Sequence, residues 1–310
     1  MPRIAVVDLG TNTTRLLVAE VDHGRVRTLA RRSEVTRLGE GVDRSGHLAD
    51  AAVHRVFAAV ADYCRTIDDL DADLRVAVAT SAVRDAANAH VLLDRLRDEL
   101  GLHARTISGD EEARLTFLGA THARSGPDPV LVLDIGGGST EFVVGVPGSD
   151  PTFHVSTAAG SVRQTERHLA GDPPPPEEVA DLAEEVRGIV AQAVPARLRA
   201  EVAYGIAVAG TATTLAAIDQ GLDHREYESV DGYRLELGAC ERMLALLAEL
   251  PLERRRAVRG LHPDRAPTIV AGTVILVASM RAFGLESMET SEADILQGAA
   301  LTANAGNSAS

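Results

Sequence analysis

The 310-residue sequence contains no lysine, so all 31 of its basic residues are arginines. A nucleotide-binding P-loop needs a lysine that reaches the phosphates, and a Schiff-base mechanism needs a lysine amine, so both are excluded. Arginine guanidinium groups can still bind phosphates through paired hydrogen bonds. Genomic base composition is a sufficient explanation for the missing lysines, so their absence alone does not indicate phosphate binding.

The sequence also lacks the features of disulfide-bonded, zinc-binding and membrane proteins. The two cysteines, Cys64 and Cys240, lie far apart in predicted helices, which is typical of buried free thiols in a reducing compartment. The ten histidines follow no paired-ligand spacing, which argues against a zinc site. Asp8 interrupts the apolar continuity that a signal peptide needs, and the longest apolar helix candidate, Thr268–Met280, is too short for a bilayer. We therefore expect a cytoplasmic protein.

Positive charge is scarce relative to negative charge, and the formal net charge is −14. This balance argues against binding to nucleic acids or to anionic membranes. A polyanionic ligand would therefore need locally concentrated arginines. The length predicts about two domains, and an apolar content of 45% is ordinary for a globular protein.

A glycine-rich segment, Val130–Val146, combines a short apolar run with a polar turn. The run ends at Asp134 and is too short and too evenly apolar for a surface helix, so it predicts a buried strand. The consecutive glycines would let backbone N–H groups approach an anion, and the next two residues add hydroxyl donors. A glycine-rich hairpin without a ligand is the alternative. The candidate phosphate-binding residues of this turn are Gly136, Gly137, Gly138, Ser139 and Thr140.

The N-terminal segment Ile4–Val21 aligns with the glycine-rich segment without a gap. At one constant offset Asp8 matches Asp134, and a polar turn follows each aspartate. Two such strand–turn–strand units predict two similar domains that face each other across a cleft, each offering one carboxylate to the same ligand. The candidate phosphate-binding residues of the first turn are Gly10, Thr11, Asn12 and Thr13.

Two carboxylates and two anion-binding turns suit a Mg²⁺-polyphosphate complex, because Mg²⁺ prefers one or two carboxylates together with phosphate oxygens and water. Asp8 and Asp134 are therefore candidate metal ligands. The segment Ile206–Thr214 predicts a strand, a turn and the start of a helix, whose N–H groups attract phosphate. Gly210 and Thr211 join the candidate phosphate-binding residues on this ground.

Strands and helices alternate along the chain, which is an α/β pattern. The polar segment Ala123–Pro129 predicts a domain boundary between residues 125 and 126. The second domain would extend to residue 303, and residues 304–310 have the composition of a disordered tail. Other predicted elements are strands at Arg25–Arg32, Leu74–Thr80 and His103–Ile107, helices at Ala49–Leu70, Asp85–Leu100 and Ala293–Ala303, and a loop at Asp219–Gly232.

Two charged residues of the first domain are candidates for chemistry. Arg84 follows a predicted strand, and ligands favour the carboxyl ends of strands in open α/β sheets, but it could also be a solvated residue in a first helical turn. Ser108 and Glu111 stand in a capping-box relation, so Glu111 is explained locally, whereas Glu112 is not. Glu112 could be a general base at the cleft or a third acid that complements the helix dipole.

Six segments distributed over nearly the whole chain carry recognisable motifs: AVVDLGTNTTRLLVAEV, ATSAVRDAAN, ISGDEEARLTFLGA, VLDIGGGSTEFVVG, AVAGTATTLAA and DRAPTIVAGTVIL. Each alone is weak, but together and in this order they are specific. In this combination the chain resembles the exopolyphosphatase and guanosine pentaphosphate phosphohydrolase family. The resemblance implies an α/β fold with two ribonuclease-H-like domains of the actin, heat-shock-chaperone and sugar-kinase superfamily, separated by an interdomain cleft, which agrees with the internal repeat.

The resemblance also implies roles for individual residues. The second glutamate of the family's SGxEEARL motif is catalytic and corresponds to Glu112, which favours the general-base interpretation. The DIGGGSTE motif, with metal and phosphate roles, corresponds to Asp134 and the residues after it, and it adds Glu141 as a third candidate metal ligand. Mg²⁺ is the implied cofactor, with Mn²⁺ as an alternative. Long family members continue into a C-terminal helical region before which this chain ends, so processive action on long chains is in question.

These inferences give one hypothesis: water hydrolyses the terminal phosphoanhydride bond of inorganic polyphosphate, and Glu112 orients or deprotonates that water. Guanosine pentaphosphate is the alternative substrate, and no sequence feature separates the two. A kinase of the same superfamily and a non-catalytic sensor of guanosine polyphosphates are further alternatives, although Glu112 argues against a sensor. No nucleic-acid or membrane partner is expected, and a homodimer is a hypothesis that the sequence does not test.

Overall fold

The computed structural model describes residues 1–223 and 230–308, with the backbone alone for residues 307 and 308. The chain divides into two compact units. The first unit consists of Met1–Arg124 and Ala293–Ser310, and the second consists of Ser125–Glu292. Among the described residues, no helix is both long and apolar enough to cross a membrane.

A five-stranded sheet lies at the centre of the first unit. Its strands are β1 (Arg3–Leu9), β2 (Thr14–Asp22), β3 (Arg25–Glu34), β4 (Leu74–Ala79) and β5 (Ala104–Thr106). The spatial order is β3-β2-β1-β4-β5, in which β1, β2 and β3 are antiparallel neighbours while β4 and β5 run parallel to β1. Because β1 is buried on both faces after Arg3, its residues 4–7 are apolar without alternation before Asp8.

Five helices follow these strands in the first 124 residues of the chain. They are α1 (Val42–Ser45), α2 (Asp50–Asp69), α3 (Ser81–Asp85), α4 (Ala89–Leu100) and α5 (Gly109–Thr121). The long helix α2 covers one face of the sheet with apolar side chains at helical spacing, such as Val53, Val56 and Val60. The predicted helix at Ala49–Leu70 is therefore confirmed.

The predicted helix Asp85–Leu100 is confirmed from Ala89 to Leu100 as α4, but its predicted start is wrong, because Asp85 ends α3 and a non-helical break follows it. Ala86 is extended, with φ −93° and ψ 128°, and Ala87 N donates a hydrogen bond to Gly46 O over 2.9 Å. The Asn88 side chain also binds both backbone groups of Leu48, at 2.7 and 2.9 Å. These bonds to a distant loop replace the helical ones, and local periodicity gives no sign of them.

The second unit contains a six-stranded sheet in the described part of the chain. Its strands are β6 (Val130–Ile135), β7 (Thr140–Gly145), β8 (Phe153–Thr157), β9 (Tyr204–Val208), β10 (Arg234–Glu236) and β11 (Ser287–Thr290). The spatial order is β10-β11-β9-β6-β7-β8. Read from β8, three antiparallel strands are followed by two that run parallel to β6, which is the arrangement of the first sheet, and β10 adds one further antiparallel edge strand.

Seven helices surround this sheet within the described residues: α6 (Ser161–His168), α7 (Pro176–Ala193), α8 (Ala196–Glu201), α9 (Ala209–Gln220), α10 (Leu237–Glu249), α11 (Leu252–Arg255) and α12 (Ile269–Phe283). A short 3-10 helix, Pro263–Arg265, precedes α12. Helix α12, which contains most of the apolar segment Thr268–Met280, is buried over nearly its whole length and packs against α7 and α10. Residues 224–229 of the predicted loop Asp219–Gly232 lie outside the described residues.

The last helix, α13 (Ile295–Ser308), belongs to the first unit. The prediction that residues 293–303 belong to the C-terminal domain is therefore wrong. Helix α13 packs against α5, and its residues Ile295 and Leu296 cover the sheet face that carries Ile4 and Val6. A buried apolar face of this kind dictates where a helix packs, whatever its position in the chain.

The prediction of a disordered tail from residue 304 is also wrong as far as residue 308, because α13 continues to Ser308. Its first turns are anchored on the sheet, and each added residue then gains a backbone hydrogen bond without a new nucleation cost. Residues 309 and 310 lie outside the described residues.

Each unit thus has a ribonuclease-H-like sheet, and the predicted α/β fold with two such domains is confirmed. The shared strand order also explains the sequence repeat, because the two repeated segments form the equivalent hairpins β1–β2 and β6–β7.

Candidate active site

The turn between β1 and β2 is closed by a hydrogen bond from Gly10 N to Thr13 O, 3.1 Å long. A Cβ on Gly10 would lie 2.7 Å from that carbonyl oxygen, so this position requires glycine. The Gly10 N–H is used to close the turn. Gly10 would therefore support phosphate binding only by giving the turn its shape. Among the described residues, the N–H groups of Thr11 and Asn12 donate to no protein acceptor, so they are the donors this turn offers to an anion.

Neighbouring segments hold the first turn in place. Thr11 O accepts a hydrogen bond from Gly39 N at 2.7 Å, and the Thr11 hydroxyl accepts one from Ala82 N, in the first turn of α3, at 3.2 Å. Asn12 O accepts a hydrogen bond from Arg37 N at 2.9 Å. The carbonyls of the turn are therefore bound by protein donors, while its N–H groups are left for a ligand.

The glycine turn between β6 and β7 follows the same plan. Gly136 N donates to Ser139 O at 3.0 Å, while the N–H groups of Gly137 and Gly138 donate to no acceptor in the described part of the chain. The start of α6 binds the carbonyls, because Ser161 N donates to Gly136 O at 2.9 Å and Val162 N to Gly137 O at 2.8 Å. The predicted glycine turn between two strands is thus present, and Ser139 and Thr140 are buried beside it.

Arg163 fixes the third carbonyl of this turn: its Nε donates to Gly138 O at 2.9 Å. Gly160, which precedes α6, packs so tightly on the turn that a Cβ would lie 2.3 Å from Gly137 O. Helix α6 therefore acts as a rigid support behind the glycine turn.

Asp134 and Glu141 are cross-strand partners in the second unit, with exposures of 7% and 1%. The Glu141 carboxylate accepts a hydrogen bond from the Ser156 hydroxyl at 2.7 Å. Two adjacent buried carboxylates are a suitable donor set for a hard divalent cation. No group of three or more potential ligands occurs among the described histidine, cysteine, aspartate and glutamate side chains, so a metal ion here would depend on water and phosphate oxygens as well.

Asp8, the candidate metal ligand of the first unit, has two carboxylate oxygens in different situations. Oδ2 accepts hydrogen bonds from Arg15 Nε at 3.0 Å and Arg15 Nη2 at 2.7 Å. Oδ1 is buried and has no hydrogen-bond partner among the described residues. Burial raises the pKa of Asp8, and the Arg15 guanidinium opposes that rise. An orphaned carboxylate oxygen in a desolvated position fits a bound cation.

Glu112 and Arg84 are in direct contact in the first unit. Arg84 Nη1 donates to Glu112 Oε2 at 3.1 Å and to Ile107 O at 3.0 Å, at the carboxyl end of the sheet. Glu112 is only 7% exposed, although it lies in the first turn of α5. Of the described residues, none accepts a hydrogen bond from Nε or Nη2 of Arg84, so this face of the guanidinium is available to an anion.

The structure confirms one of the two hydrogen bonds of the capping box predicted for Ser108 and Glu111, next to Glu112. The Ser108 hydroxyl accepts a hydrogen bond from Glu111 N at 3.1 Å, as expected of an N-cap. The Glu111 side chain instead binds Arg105, and this contact lowers the pKa of Glu111. Glu111 is therefore occupied on the surface, while Glu112 points into the protein.

Gly210 and Thr211 lie in the first turn of α9, directly after β9, as predicted. The guanidinium of Arg265 lies against Gly210, where a Cβ would be 1.3 Å from Arg265 Nη1. Ala209 has a φ of 65°, an unfavourable conformation for a non-glycine residue that turns the chain sharply from strand to helix. The geometry thus combines a helix N-terminus with an arginine side chain.

The first unit therefore carries Asp8, the Gly10–Thr13 turn, Arg84 and Glu112, and the second unit carries Asp134, Glu141, the glycine turn and the Gly210–Thr211 turn. Sequence analysis missed Arg15, Arg163, Arg265 and Asp294. The repeat contains a signal for Arg15, because it aligns with Glu141 at the offset that aligns Asp8 with Asp134. Nothing local indicates Asp294, whose contact with Arg15 spans 279 residues.

Comparisons with known proteins found similar chains over nearly the whole sequence. The Ppx/GppA phosphatase family matches residues 17–301 of the chain. Exopolyphosphatase 2 of Mycobacterium tuberculosis is 34% identical, over 97% of this chain and 98% of its own. The crystal structure of an exopolyphosphatase-like protein is 32% identical, with a TM-score of 0.90, over 98% of this chain and 99% of its own. The structure of a Ppx/GppA enzyme of Aquifex aeolicus is 29% identical, with a TM-score of 0.81, over 97% and 99%.

Proposed function

The chain belongs to the Ppx/GppA phosphatase family, and on that premise we propose that it is an exopolyphosphatase that releases orthophosphate from the end of inorganic polyphosphate. The observation that carries the proposal is the pair of equivalent turns, each of which binds its carbonyls to protein donors and leaves N–H groups for an anion. Two such turns suit a ligand that presents phosphates in a row. The cytoplasmic location predicted from the sequence is part of the same proposal.

In the proposed reaction a water oxygen attacks the terminal phosphorus atom while the bond to the bridging oxygen breaks. Glu112 accepts the proton of the attacking water, and the shortened polyphosphate leaves with the bridging oxygen. Arg84 holds the Glu112 carboxylate through Nη1 and has two further donor atoms for the terminal phosphate. One arginine can therefore align the base with the phosphate that is attacked.

Members of this family generally depend on a divalent metal ion, and we propose Mg²⁺, with Mn²⁺ as a substitute. Its candidate ligands are Asp134 and Glu141 in the second unit and Asp8 in the first, because all three are buried carboxylates in the hairpin strands of their own unit. When bound, the ion would neutralise charge on the phosphate oxygens. The turn of each unit would position phosphates through its own backbone N–H groups.

The test of this function is phosphate release by the Glu112→Gln variant, with Glu111→Gln as the matched control. Glutamine keeps the size of Glu112 and can accept the Arg84 hydrogen bond, but it cannot take a proton from water. We expect turnover of polyphosphate to fall by about 10²-fold or more while polyphosphate still binds. Glu111→Gln should release phosphate at nearly the wild-type rate. Wild-type turnover by Glu112→Gln would refute the assignment.

The same assay separates the alternatives. Guanosine pentaphosphate presents a similar chain of phosphates with a nucleoside at one end, so it is assayed beside short and long polyphosphate, with and without Mg²⁺. Faster release from guanosine pentaphosphate would make it the preferred substrate. Tight binding of that nucleotide without turnover would indicate a sensor, and ATP consumption only with an added acceptor would indicate a kinase.

A further inference from the structure

Arg15 bridges two buried aspartates of the first unit. On one side its Nε and Nη2 bind Oδ2 of Asp8, and on the other its Nη1 binds Oδ2 of Asp294. Asp8 is 3% exposed and Asp294 is 1% exposed, so both carboxylates are removed from water. A guanidinium with several donors in a fixed plane can serve two carboxylates at once.

Asp294 is held rigidly by the start of α13. Its Oδ1 accepts a hydrogen bond from Leu296 N at 3.0 Å, and its own N–H donates to Gln297 Oε1 at 3.0 Å. The backbone is fixed as well, because Gly119 of α5 packs so closely that a Cβ there would lie 1.8 Å from Asp294 O. Asp294 therefore presents its second oxygen to Arg15 from a position set by two packed helices.

We propose that Asp294 is a positioning residue for metal binding: it offsets the charge of Arg15, so that Arg15 orients Asp8 without cancelling the attraction of Asp8 for a cation. The inference rests on the proposed function, in which Asp8 is a metal ligand. Asp294, at the start of the last helix, would then complete the first unit's contribution to metal binding, whose other residues lie in the first 124 residues.

The charges support this role. Asp8, Arg15 and Asp294 together carry one net negative charge, and without the charge of Asp294 the sum is zero. Because all three side chains are largely buried, their interactions are weakly screened by solvent. A second arginine, Arg31, has its Nη2 3.9 Å from Asp294 Oδ2. Because the Arg31 side chain is 29% exposed, solvent screens its charge better than that of Arg15.

The geometry also predicts that Asp294 strengthens metal binding. Oδ2 of Asp8 is bound by Arg15, so Oδ1 is the oxygen left to a cation. An outer partner that fixes the orientation of a ligand usually contributes to metal affinity, and its removal typically costs about 10- to 100-fold. Loss of the Asp294 charge should therefore weaken metal binding both electrostatically and by loosening Arg15.

The test is direct Mn²⁺ binding, followed by the electron paramagnetic resonance signal of free Mn²⁺, without substrate. Asp8→Asn measures what Asp8 contributes. Asp294→Asn keeps an oxygen for the Leu296 N–H but no longer neutralises Arg15, and we expect it to weaken Mn²⁺ binding by about 10-fold. The double variant Arg15→Gln with Asp294→Asn restores one net negative charge but loses the hydrogen bonds that orient Asp8, so it should bind Mn²⁺ more tightly than Asp294→Asn alone and less tightly than the wild type.

Asp62→Asn is the matched control, because Asp62 is also an aspartate shared by two arginines, Arg32 and Arg65, but lies on α2. We expect it to bind Mn²⁺ like the wild type. If Asp294→Asn fails to fold by circular dichroism, Asp294→Glu replaces it, and this variant should bind Mn²⁺ within about 3-fold of the wild type, since the charge that governs affinity is kept.

The outcomes distinguish the inference from the function on which it rests. If Asp8→Asn leaves Mn²⁺ binding unchanged, or the wild type binds no Mn²⁺, the metal role of Asp8 is wrong and the inference falls with it. If Asp8→Asn weakens binding but Asp294→Asn does not, the inference alone is wrong. If Asp294→Asn folds and adding Arg15→Gln does not improve its Mn²⁺ binding, then Asp294 acts only as a helix cap. Weak Mn²⁺ binding by Asp294→Glu would lead to the same conclusion.

Discussion

The first hairpin, β1–β2, and the second hairpin, β6–β7, close their turns with the same backbone hydrogen bond, from Gly10 to Thr13 in one and from Gly136 to Ser139 in the other. Each places an aspartate two residues before the turn glycine. The residue across the ladder differs, because Asp8 faces Arg15 whereas Asp134 faces Glu141. The two copies therefore share a backbone plan and differ in charge.

This difference suggests that the two hairpins have different tasks. In the first hairpin an arginine holds one oxygen of the aspartate and leaves one available. In the second hairpin two carboxylates stand side by side, an arrangement that favours a cation between them. We infer that the second hairpin contributes more of the metal affinity and that the first depends on its arginine for stability.

The largest expected effect is the loss of stability that Arg15→Gln causes. This change leaves the buried Asp8 and Asp294 without the guanidinium between them, and breaking a buried ion pair by removing one partner costs about 3 kcal/mol of unfolding free energy or more. The chain has no tryptophan, so unfolding is followed by far-UV circular dichroism. Glu141→Gln, the same change at the equivalent position, should cost clearly less. Equal losses would mean that the two hairpins do not differ in this way.

The second-largest expected effect is the loss of metal affinity that Glu141→Gln causes. Removing one of two adjacent carboxylates should weaken Mn²⁺ binding by about 100-fold, or about 2.7 kcal/mol. The glutamine can still accept the hydrogen bond of Ser156, so the strand pairing of β7 and β8 should be retained. Electron paramagnetic resonance of free Mn²⁺ measures the change, with Glu111→Gln as the control, because Glu111 is bound to Arg105 on the surface. An unchanged affinity would place the metal ion elsewhere.

The hairpins themselves could be predicted from the sequence, because their signals are local. An apolar run, an Asp-x-Gly turn and a second apolar run specify a strand pair, and two copies at one offset indicate two similar domains. Glu112 was separated from Glu111 by the same kind of reasoning, since Ser108 and Glu111 form the first half of a capping box. Its pairing with Arg84 was not predicted, because the two residues lie on different elements.

Features set by distant contacts could not be predicted. The return of α13 to the first unit depends on an apolar face that fits α5 and the first sheet, which hydrophobic periodicity alone does not assign to a partner. Asp294 follows from that packing, and its bond to Arg15 spans 279 residues. The break between α3 and α4 likewise depends on hydrogen bonds from Asn88 to Leu48.

A smaller effect is expected from alanine at the two turn glycines. A Cβ on Gly10 would lie 2.7 Å from Thr13 O, and one on Gly136 would lie 3.1 Å from Ser139 O. The first distance forces the backbone to move, while the second needs a shift of a few tenths of an ångström. Gly10→Ala should therefore lower the unfolding free energy by about 2 kcal/mol and Gly136→Ala by about 1 kcal/mol or less, measured by circular dichroism. The reverse order would show that the contact between the Cβ and the turn carbonyl does not decide the cost of alanine in these turns.

The smallest effect concerns the hydroxyls at the first residue of the second strand in each hairpin. The Thr14 hydroxyl shares a 2.9 Å hydrogen bond with that of Thr36, and the Thr140 hydroxyl donates to Ala159 O. Valine at either position keeps the shape and removes the bond. A hydroxyl left behind at Thr36 can turn to another acceptor, whereas the carbonyl of Ala159 is fixed.

We therefore expect Thr14→Val to lower the unfolding free energy by about 1 kcal/mol and Thr140→Val by about 1.5 kcal/mol. Thr→Ser at each position keeps the hydroxyl and serves as the control for the lost methyl group. Thermal unfolding followed by circular dichroism measures all four variants. If serine costs as much as valine in the second hairpin, packing and not the hydrogen bond to Ala159 joins the glycine turn to the segment before α6, and the two hairpins would then be supported by different forces.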